Sequence, residues 1–521
     1  MNRTNQTVII RKIQSALQTI SGSGYADYIP ITGSGIVVTR YSQSLNMNGS
    51  GKDYSPKRFG RRALLKYVSC AGLTAGLSPW VWLAGCGKKN AKSRPNIFLV
   101  TVDTLRPDHL HCYGYSKKTS PRIDDFARDA VLYEKCFSHA PETCMSVAGI
   151  LSGFLPHETK VSENTFLSSK VETMPQILIR YGYKTAAVVS NYVLRKGQGF
   201  EQGFLVYDDT MKKREIVRGV VERIAEDTTN RAVEIIEQFG KGPMFVWLHY
   251  QDPHGPYTPP GRFAEMFRSS DSKARNLRPT GSLTGRGGIP SYQMLGDNTD
   301  YNYYVSQYDG EIGYMDEQFG RFVDALKKSG LYDNSLIIFT SDHGEGMGEH
   351  DYFFAHGEYL YNDQLHVPLV IKHPAVSSGK KTDFVQHADL LPTILDIIGV
   401  DAGKKLRGRC LLKEGGADKE IFAGMRTRYV RDSIKFSLIY GQMKMIYTPI
   451  DLRYELFDLK SDFYEEKDLI KDPQYHVQAD DLRNRLERIM REDLLGVPIE
   501  PQPRELNQQE KDALKSLGYV R

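Results

Sequence analysis

The chain has 521 residues, of which 40% are hydrophobic and 25% are charged, a composition typical of a globular protein with a large core. Its formal net charge is +5, but residues 1–85 carry ten lysine and arginine residues against two acidic ones, so the rest of the chain carries a net charge of −3. A nucleic-acid partner is therefore not expected, and six cysteines over this length do not make a disulfide scaffold.

The N-terminal region is predicted to direct export rather than to fold. Paired arginines in "PKRFGRRALLK" (56–66) precede an apolar stretch (67–84), which is similar to a twin-arginine signal. The stretch is short for a membrane span and contains Pro79. It ends in "LAGC", which is similar to a bacterial lipoprotein box. We therefore expect Cys86 to carry a lipid that anchors the protein in the cell envelope, on the periplasmic or outer face.

The organisation of the first 95 residues follows from the position of this signal. A signal normally begins near the start of translation, yet a polar stretch precedes this one. We expect translation to begin at Met47, which makes residues 1–46 a non-native or disordered leader. Residues 47–86 are then the signal region, and residues 87–95 are a tether.

The rest of the chain predicts a large α/β domain over residues 96–400. Continuous apolar runs, typical of strands in a covered parallel sheet, lie at 97–102, 184–190, 243–250, 335–342 and 367–373. Helical patterns lie at 120–131, with Ser120 as the cap and Pro121 in the first turn, and at 214–239 and 303–329. Alternating strands and helices predict a large doubly wound, mostly parallel sheet with helices on both faces.

Two further segments have a different character. Residues 261–300 are polar and rich in glycine, and we interpret them as a long surface loop that could form a lid. After residue 400, short apolar runs such as "SIKFSLIYG" and "YELFDLK" predict a small antiparallel sheet, followed by a helix near 476–494. Residues 401–521 are therefore predicted to form a smaller α+β subdomain.

Acidic residues and histidines stand at the ends of three predicted strands. Asp103 follows the first strand, His249 closes "MFVWLH" with His254 just beyond, and Asp342 and His343 follow "LIIFTS". Taken singly, such an aspartate is usually a turn former and such a histidine is usually structural. Ligands of α/β sheets, however, gather beyond the carboxyl ends of the strands. Carboxylate oxygens with an imidazole suit a divalent cation, so a metal site is predicted here.

Several long blocks then resemble one family. They are "NIFLVTVDTLRPDHLHCYGY" (96–115), "FVWLHYQDPHGPYTPP" (245–260), "YDGEIGYMDEQFGRFVDALKKSGLYDNSLIIFTSDHGEGMGEH" (308–350), "HGEYLYNDQLHVPLVI" (356–371), "HADLLPTILDIIGV" (387–400) and "YELFDLKSDFYEEKDL" (454–469). Together they resemble the sulfatase family of the alkaline phosphatase superfamily, from about Pro95 to the C-terminus. The resemblance implies an alkaline-phosphatase-like fold and a hydrolase of sulfuric esters. It also implies one divalent metal held by Asp103, Asp342, His343 and the nucleophile: calcium by resemblance, with zinc or manganese as alternatives.

The nucleophile position lies in "APETCMSVAGILSG" (140–153). The family usually carries Cys-x-Pro-Ser-Arg, whose cysteine becomes formylglycine. With Cys144 at that position, Ser146 falls on the proline and Ala148 on the arginine, and the distance to Ser152–Gly153 is one residue short. Shifting the register by one residue restores the spacing. We therefore predict that Thr143 is the nucleophile and a metal ligand, and that Cys144 is a neighbouring, packed thiol.

Three histidines receive roles by the same resemblance. His254, in "DPHGPY", is predicted to donate a proton to the leaving alcohol or to grip the anion. His356, in "FAHGEY", is predicted to stabilise the equatorial oxygens of the ester. His249 is a weaker candidate for substrate binding, and facing the core or orienting His254 are its alternatives.

Other positions depart from the family pattern. The family carries cations at the positions that Val147, Ser190 and Asn191 occupy in this chain. The absence of these cations weakens the anion binding expected of a standard arylsulfatase. Asn191 is predicted to hydrogen-bond a substrate oxygen, with a loop cap as the alternative. Arg106 is predicted to orient Asp103 or to contact the substrate.

The leading prediction is a lipid-anchored envelope hydrolase that cleaves a sulfuric or phosphoric ester. One alternative is a phosphodiesterase or a transferase that moves a phosphoryl head group onto an envelope lipid or glycan. Known transferases of that kind usually carry several membrane spans, which favours the hydrolase. The other alternative is a noncatalytic binding lipoprotein on the same scaffold. The expected partners are the ester and, through the lipid, the membrane.

Overall fold

The computed structural model describes residues 94–162, 165–215, 217, 219–268, 275–401, 406–413, 419–426, 434–495 and 508. The predicted leader, the signal region with Cys86 and nearly all of the tether lie outside these residues. Within the described ranges, no helix combines the length and the hydropathy that crossing a bilayer requires.

The described residues contain sixteen strands and ten α-helices. The strands are β1 (Asn96–Val102), β2 (Val131–Phe137), β3 (Lys184–Val189), β4 (Val206–Asp208), β5 (Lys213–Arg214), β6 (Val221–Glu222), β7 (Met244–Tyr250), β8 (Ser335–Ser341), β9 (Gly346–Met347), β10 (Phe353–Ala355), β11 (His366–Lys372), β12 (Gly379–Gln386), β13 (Ile421–Arg426), β14 (Ile434–Tyr440), β15 (Met443–Thr448) and β16 (Arg453–Asp458). The helices are α1 (Pro121–Arg128), α2 (Thr143–Ser152), α3 (Pro156–Thr159), α4 (Met174–Arg180), α5 (Ala225–Phe239), α6 (Phe263–Met266), α7 (Tyr301–Lys328), α8 (Asn362–Leu365), α9 (Leu390–Ile397) and α10 (His476–Leu495).

The large sheet has eight strands in the order β12-β2-β11-β8-β1-β7-β3-β4. Strand β1 pairs in parallel with β7 and β8, and β3 pairs in parallel with β7 and β4. Strand β11 runs antiparallel to both of its neighbours, β2 and β8. Because β1, β3, β7 and β8 run in one direction, their carboxyl ends meet at one end of the sheet, where ligands of such folds bind.

Both faces of this sheet are covered by helices. Ile97 and Leu99 of β1 pack with residues of α2, α4 and α9, whereas Phe98 and Val100 pack on the other face with residues of α1, α5 and α7. This double burial explains why the central strands are continuous apolar runs. The predicted fold class is confirmed: a large, mostly parallel sheet with helices on both faces and a small antiparallel sheet near the C-terminus.

Some predicted elements need correction. The first helix ends at Arg128, and Val131 already begins β2, which the sequence pattern had merged into that helix. The helix predicted over 214–239 begins at Ala225, because β5 and β6 pair before it. Strands β4 and β12 were not predicted, since β4 has three residues and β12 is an exposed edge strand without an apolar run.

The described part of the predicted lid is fastened to β10. The amide of Phe353 donates to the carbonyl of Gly285 at 2.9 Å, and Gln293 Nε2 donates to the carbonyl of Phe354 at 3.0 Å. A Cβ at Gly285 would lie 2.3 Å from the carbonyl oxygen of Phe353, so this close approach requires glycine. The loop therefore packs along β10, the strand that precedes His356.

The C-terminal strands β13 to β16 form an antiparallel sheet in chain order. One face packs against Phe137, Leu360 and Leu365 of the α/β region, and the other face packs against α10. The division of the chain at residue 400 stays a prediction.

Candidate active site

Residues from distant parts of the chain meet at the carboxyl ends of the central strands. Asp103 follows β1, Asp342 and His343 follow β8, Asn191 follows β3, and His254 lies just beyond β7. Asp103, Asp342 and His343 are completely buried. This is the meeting point that the parallel topology predicts.

Three electron-pair donors face one another at the centre of this group. One ligand atom from each of Asp103, Asp342 and His343 lies within 4.8 Å of the others. His343 Nδ1 donates to the carbonyl of Gly344 at 2.9 Å, so the lone pair on Nε2 faces Asp103 Oδ1 and Asp342 Oδ2, each at 3.7 Å. Those two carboxylate oxygens have no hydrogen-bond partner among the described residues.

The electrostatics of this trio fit a cation. Burial, reinforced by the Asp103 carboxylate, raises the pKa of Asp342 well above its usual range. Burial, reinforced by the charge of His356, lowers the pKa of His343 to about 3, so its imidazole is neutral. Two carboxyl groups and a neutral imidazole at completely buried positions form a donor set that binds a divalent metal.

Thr143 and Cys144 begin helix α2 but point to different surroundings. Thr143 Oγ1 lies 3.3 Å from His343 Nε2 and is completely buried. The Cys144 thiol instead donates to the carbonyl of Val193 at 3.7 Å and packs within a hydrophobic cluster. Of the two side chains, it is therefore the threonine that faces the carboxylate–imidazole trio.

His254 and His356 lie together beside the trio. The ring of His356 lies 4.5 Å from that of His343 and 5.2 Å from that of His254. Glu345 Oε1 accepts from His356 Nδ1 at 3.0 Å, and Glu345 Oε2 accepts from the Tyr257 hydroxyl at 3.2 Å. Burial alone would lower the pKa of His356, but the Glu345 carboxylate outweighs it and raises that pKa. The imidazolium form of His356 is therefore favoured.

A sequence model described as "Sulfatase" matches residues 95–400, more than half of the chain. The chain belongs to the sulfatase family. A second model, described as "N-sulphoglucosamine sulphohydrolase, C-terminal", matches residues 348–492.

Relatives and solved structures agree with this membership. An N-acetylglucosamine-6-O-sulfatase of Bacteroides thetaiotaomicron is 23% identical, over 79% of this chain and 89% of the relative. A choline-sulfatase of Rhizobium meliloti is 23% identical, over 73% of this chain and 83% of the relative. A phosphonate monoester hydrolase of Agrobacterium radiobacter shares the fold with a TM-score of 0.64 and 20% identity, over 79% of this chain and all of the other. The predicted hydrolase of sulfuric esters is confirmed, and these relatives favour neither the transferase nor the noncatalytic alternative.

Two polar residues of this sulfatase turn out to serve Asp103. Asn191 Nδ2 donates to Asp103 Oδ2 at 2.6 Å, and Asn191 Oδ1 accepts from the amide of Val193 at 3.0 Å, which is the predicted loop cap. His249 Nε2 lies 3.5 Å from the same Asp103 oxygen. Their role as substrate-binding residues stays a prediction.

Arg106 makes several contacts of its own. Its guanidinium directs all five N–H groups at Asp108, Glu349 and the carbonyl of Glu345. None of these contacts reaches Asp103, and a contact with the substrate stays a prediction. Arg106 ties the turn after β1 to the turn after β8.

The turn that aims Asp103 is strained. Thr104 has a φ of 55°, which a β-branched residue rarely adopts. The Tyr308 hydroxyl donates to the carbonyl of Thr104 at 2.7 Å, and the Thr104 amide donates to Asp342 Oδ1 at 3.3 Å. Tyr308, Glu345 and Tyr257 were not predicted from the sequence. Glu345 could have been found from its place two residues after His343, within the same matched block.

Proposed function

We propose that this sulfatase hydrolyses sulfate esters with Thr143 as its nucleophile. Asp103, Asp342 and His343, together with Thr143, would hold one divalent metal. Calcium is the metal expected from the family resemblance, while the imidazole ligand also suits zinc or manganese. One observation carries the proposal: Thr143 Oγ1 lies 3.3 Å from His343 Nε2, whereas the Cys144 thiol is engaged with the carbonyl of Val193.

The first chemical step is attack by Thr143 on the ester. When bound, the metal neutralises negative charge on the ester and lowers the pKa of the attacking hydroxyl. Thr143 Oγ1, having lost its proton to bulk water, attacks sulfur in line with the leaving alcohol. The start of α2 favours the negative charge that builds on Oγ1, because the helix dipole is positive there.

Two histidines stabilise the charge on the leaving oxygen and on the nonbridging oxygens of the ester. As the bond from sulfur to the leaving oxygen breaks, His254 donates a proton to that oxygen. The imidazolium of His356, held by Glu345, stabilises the nonbridging oxygens. This step leaves a sulfate ester on Thr143 Oγ1. Water then attacks the same sulfur while His254 takes one of its protons. The bond from sulfur to Thr143 Oγ1 breaks, hydrogen sulfate leaves and loses its proton to water, and Oγ1 is left deprotonated for the next cycle.

The roles of the two histidines can be separated by varying the leaving group. We expect His254→Gln to lower kcat/KM for an alkyl sulfate by about 10²- to 10⁴-fold and for a nitrophenyl sulfate by much less, because nitrophenolate needs no proton. His356→Gln should lower both alike, since it acts on the nonbridging oxygens. The measurement is the slope of log kcat/KM against leaving-group pKa. Equal losses for His254→Gln on both esters would contradict its role as the acid.

The ester class follows from the charge of the site. The positions where the family carries cations hold Val147, Ser190 and Asn191, which leaves His254 and His356 as the basic side chains beside His343. A sulfate monoester carries one negative charge and a phosphate monoester carries about two, so a site with few cations favours sulfate. The relatives named as sulfatases support the same choice.

A panel of four esters with one nitrophenol leaving group tests the proposed function. The panel holds the sulfate, the phosphate monoester, a phosphate diester and a phosphonate monoester, each assayed with calcium, zinc and manganese. We expect the sulfate to show the highest kcat/KM. A higher kcat/KM for the diester or for the phosphonate would overturn the proposal, since both are monoanions that the charge argument does not reject.

We further propose export by the twin-arginine route and a lipid anchor on Cys86. The support is the order of Arg61–Arg62, the apolar stretch and "LAGC" in the sequence. In bacterial cells, Cys86→Ser should shift sulfatase activity from the membrane fraction to the soluble fraction without changing kcat, because Cys86 is not one of the residues that form the proposed site. Activity that stays with the membranes would contradict the anchor.

A further inference from the structure

Four buried side chains form a chain of polar contacts behind the trio. Trp247 Nε1 lies 2.9 Å from Thr101 Oγ1, and Thr101 Oγ1 lies 2.8 Å from His249 Nδ1. His249 Nε2 lies 3.5 Å from Asp103 Oδ2. Trp247, Thr101, His249 and Asp103 are all completely buried. The pairing of β1 with β7 creates this chain, because Thr101 and His249 are register partners.

The positions of the hydrogens follow from counting donors. The indole N–H of Trp247 can only donate, so Thr101 Oγ1 accepts from it. The hydroxyl of Thr101 has one proton, and its nearer acceptor is His249 Nδ1 at 2.8 Å rather than the carbonyl of Leu248 at 3.4 Å. The shorter contact favours His249 Nδ1 as the acceptor, which places the ring proton on Nε2.

Electrostatics lead to the same tautomer. With the proton on Nε2, an N–H group faces Asp103 Oδ2, the oxygen that also accepts from Asn191. The opposite tautomer would set a lone pair against a carboxylate at a completely buried position. Asp103 Oδ2 thus accepts from Asn191 and faces the Nε2–H group of His249 at 3.5 Å, while Oδ1 has no partner within the described part of the chain and faces His343.

We propose that Thr101 and Trp247 set the Nε2–H tautomer of His249, and that His249 is a positioning residue which keeps Asp103 Oδ1 turned towards the metal. The inference rests on the proposed metal site. It assigns to His249 a role that contacts neither the substrate nor His254. It also explains why a threonine and a tryptophan place their polar atoms inside an otherwise apolar pair of strands.

The tautomer can be tested on the unaltered protein. Long-range proton–nitrogen NMR on histidine-labelled protein, with His249→Gln to assign the signal, reports which ring nitrogen carries the proton. We expect a protonated Nε2 and an unprotonated Nδ1, with or without metal. A proton on Nδ1 alone would overturn the proposal whatever the variants show.

The positioning role is tested with Thr101→Val and the conservative control Thr101→Ser. Loss of the hydroxyl should raise the dissociation constant for Mn²⁺, measured by electron paramagnetic resonance, by about 10- to 100-fold, while serine should stay close to the wild type. Circular dichroism checks that both variants fold. Equal Mn²⁺ affinity in Thr101→Val and the wild type would overturn the role of His249. Failure of the wild type to bind Mn²⁺ or Ca²⁺ would instead overturn the metal site itself, and with it the purpose assigned to Asp103 Oδ1.

Discussion

Thr143→Ala is expected to lower kcat/KM by about 10⁴-fold or more, because it removes the atom that attacks sulfur. Cys144→Ala should retain activity within about threefold, since the thiol contacts Val193 and the hydrophobic cluster rather than the trio. The two substitutions shorten side chains at adjacent, buried positions of the same helix, and Thr143→Ala removes a methyl group as well as the hydroxyl. Steady-state kinetics on nitrophenyl sulfate, with the metal content of each variant, is the measurement.

Two controls sharpen this comparison. Thr143→Ser keeps the hydroxyl and should keep measurable turnover, which distinguishes loss of the nucleophile from loss of packing. Mass spectrometry of the active wild-type protein should show unmodified masses for both Thr143 and Cys144. An inactive Cys144→Ala variant, together with a formylglycine mass at Cys144, would show that the register is wrong and that the cysteine is the nucleophile precursor.

The sequence allowed the centre of this site to be predicted because of where its residues stand. Asp103, Asp342 and His343 each follow a continuous apolar run, and parallel strands bring such positions together whatever the rest of the chain does. Thr143 was predicted as the nucleophile from spacing within one short block, and the structure places it beside His343. Strands with a weak sequence pattern were not predicted: β12 is an exposed edge strand, and β2 follows a helix after two residues.

The sequence does not determine which partner a polar side chain contacts when several partners are available. His249, Asn191 and Arg106 were all assigned to the substrate or to its neighbourhood. The structure directs His249 and Asn191 at Asp103, and Arg106 at Glu349. Each contact joins residues far apart in the chain, so it depends on the register of the sheet and on the turns after its strands. A prediction from spacing cannot contain that information.

Removal of the metal should destabilise the protein, because it leaves the side chains of Asp103 and Asp342 facing each other without a cation. We expect the wild type to lose activity when a chelator strips it, and its free energy of unfolding to fall by about 4 kcal/mol from the value with metal at a thousandfold its Kd. Asp342→Asn should lower kcat/KM by about 10³-fold or more, with or without added metal, since it removes a charged ligand. Activity and urea unfolding of the stripped and loaded proteins measure both effects.

The stripped Asp342→Asn variant should nevertheless be more stable than the stripped wild type. Asn Oδ1 can keep the hydrogen bonds from the amides of His343 and Thr104, and its NH₂ group would face Asp103 Oδ1, which otherwise has no hydrogen-bond partner among the described residues. Because the pKa of Asp342 is raised in the folded protein, ionising it costs stability as the pH rises above its unfolded value. The advantage of asparagine should therefore grow from about pH 5 to about pH 8. Asp125→Asn, in an exposed ion pair with Arg128, is the control and should show neither effect. A stripped Asp342→Asn variant that is less stable than the stripped wild type at the higher pH would mean that no repulsion exists for a metal to relieve.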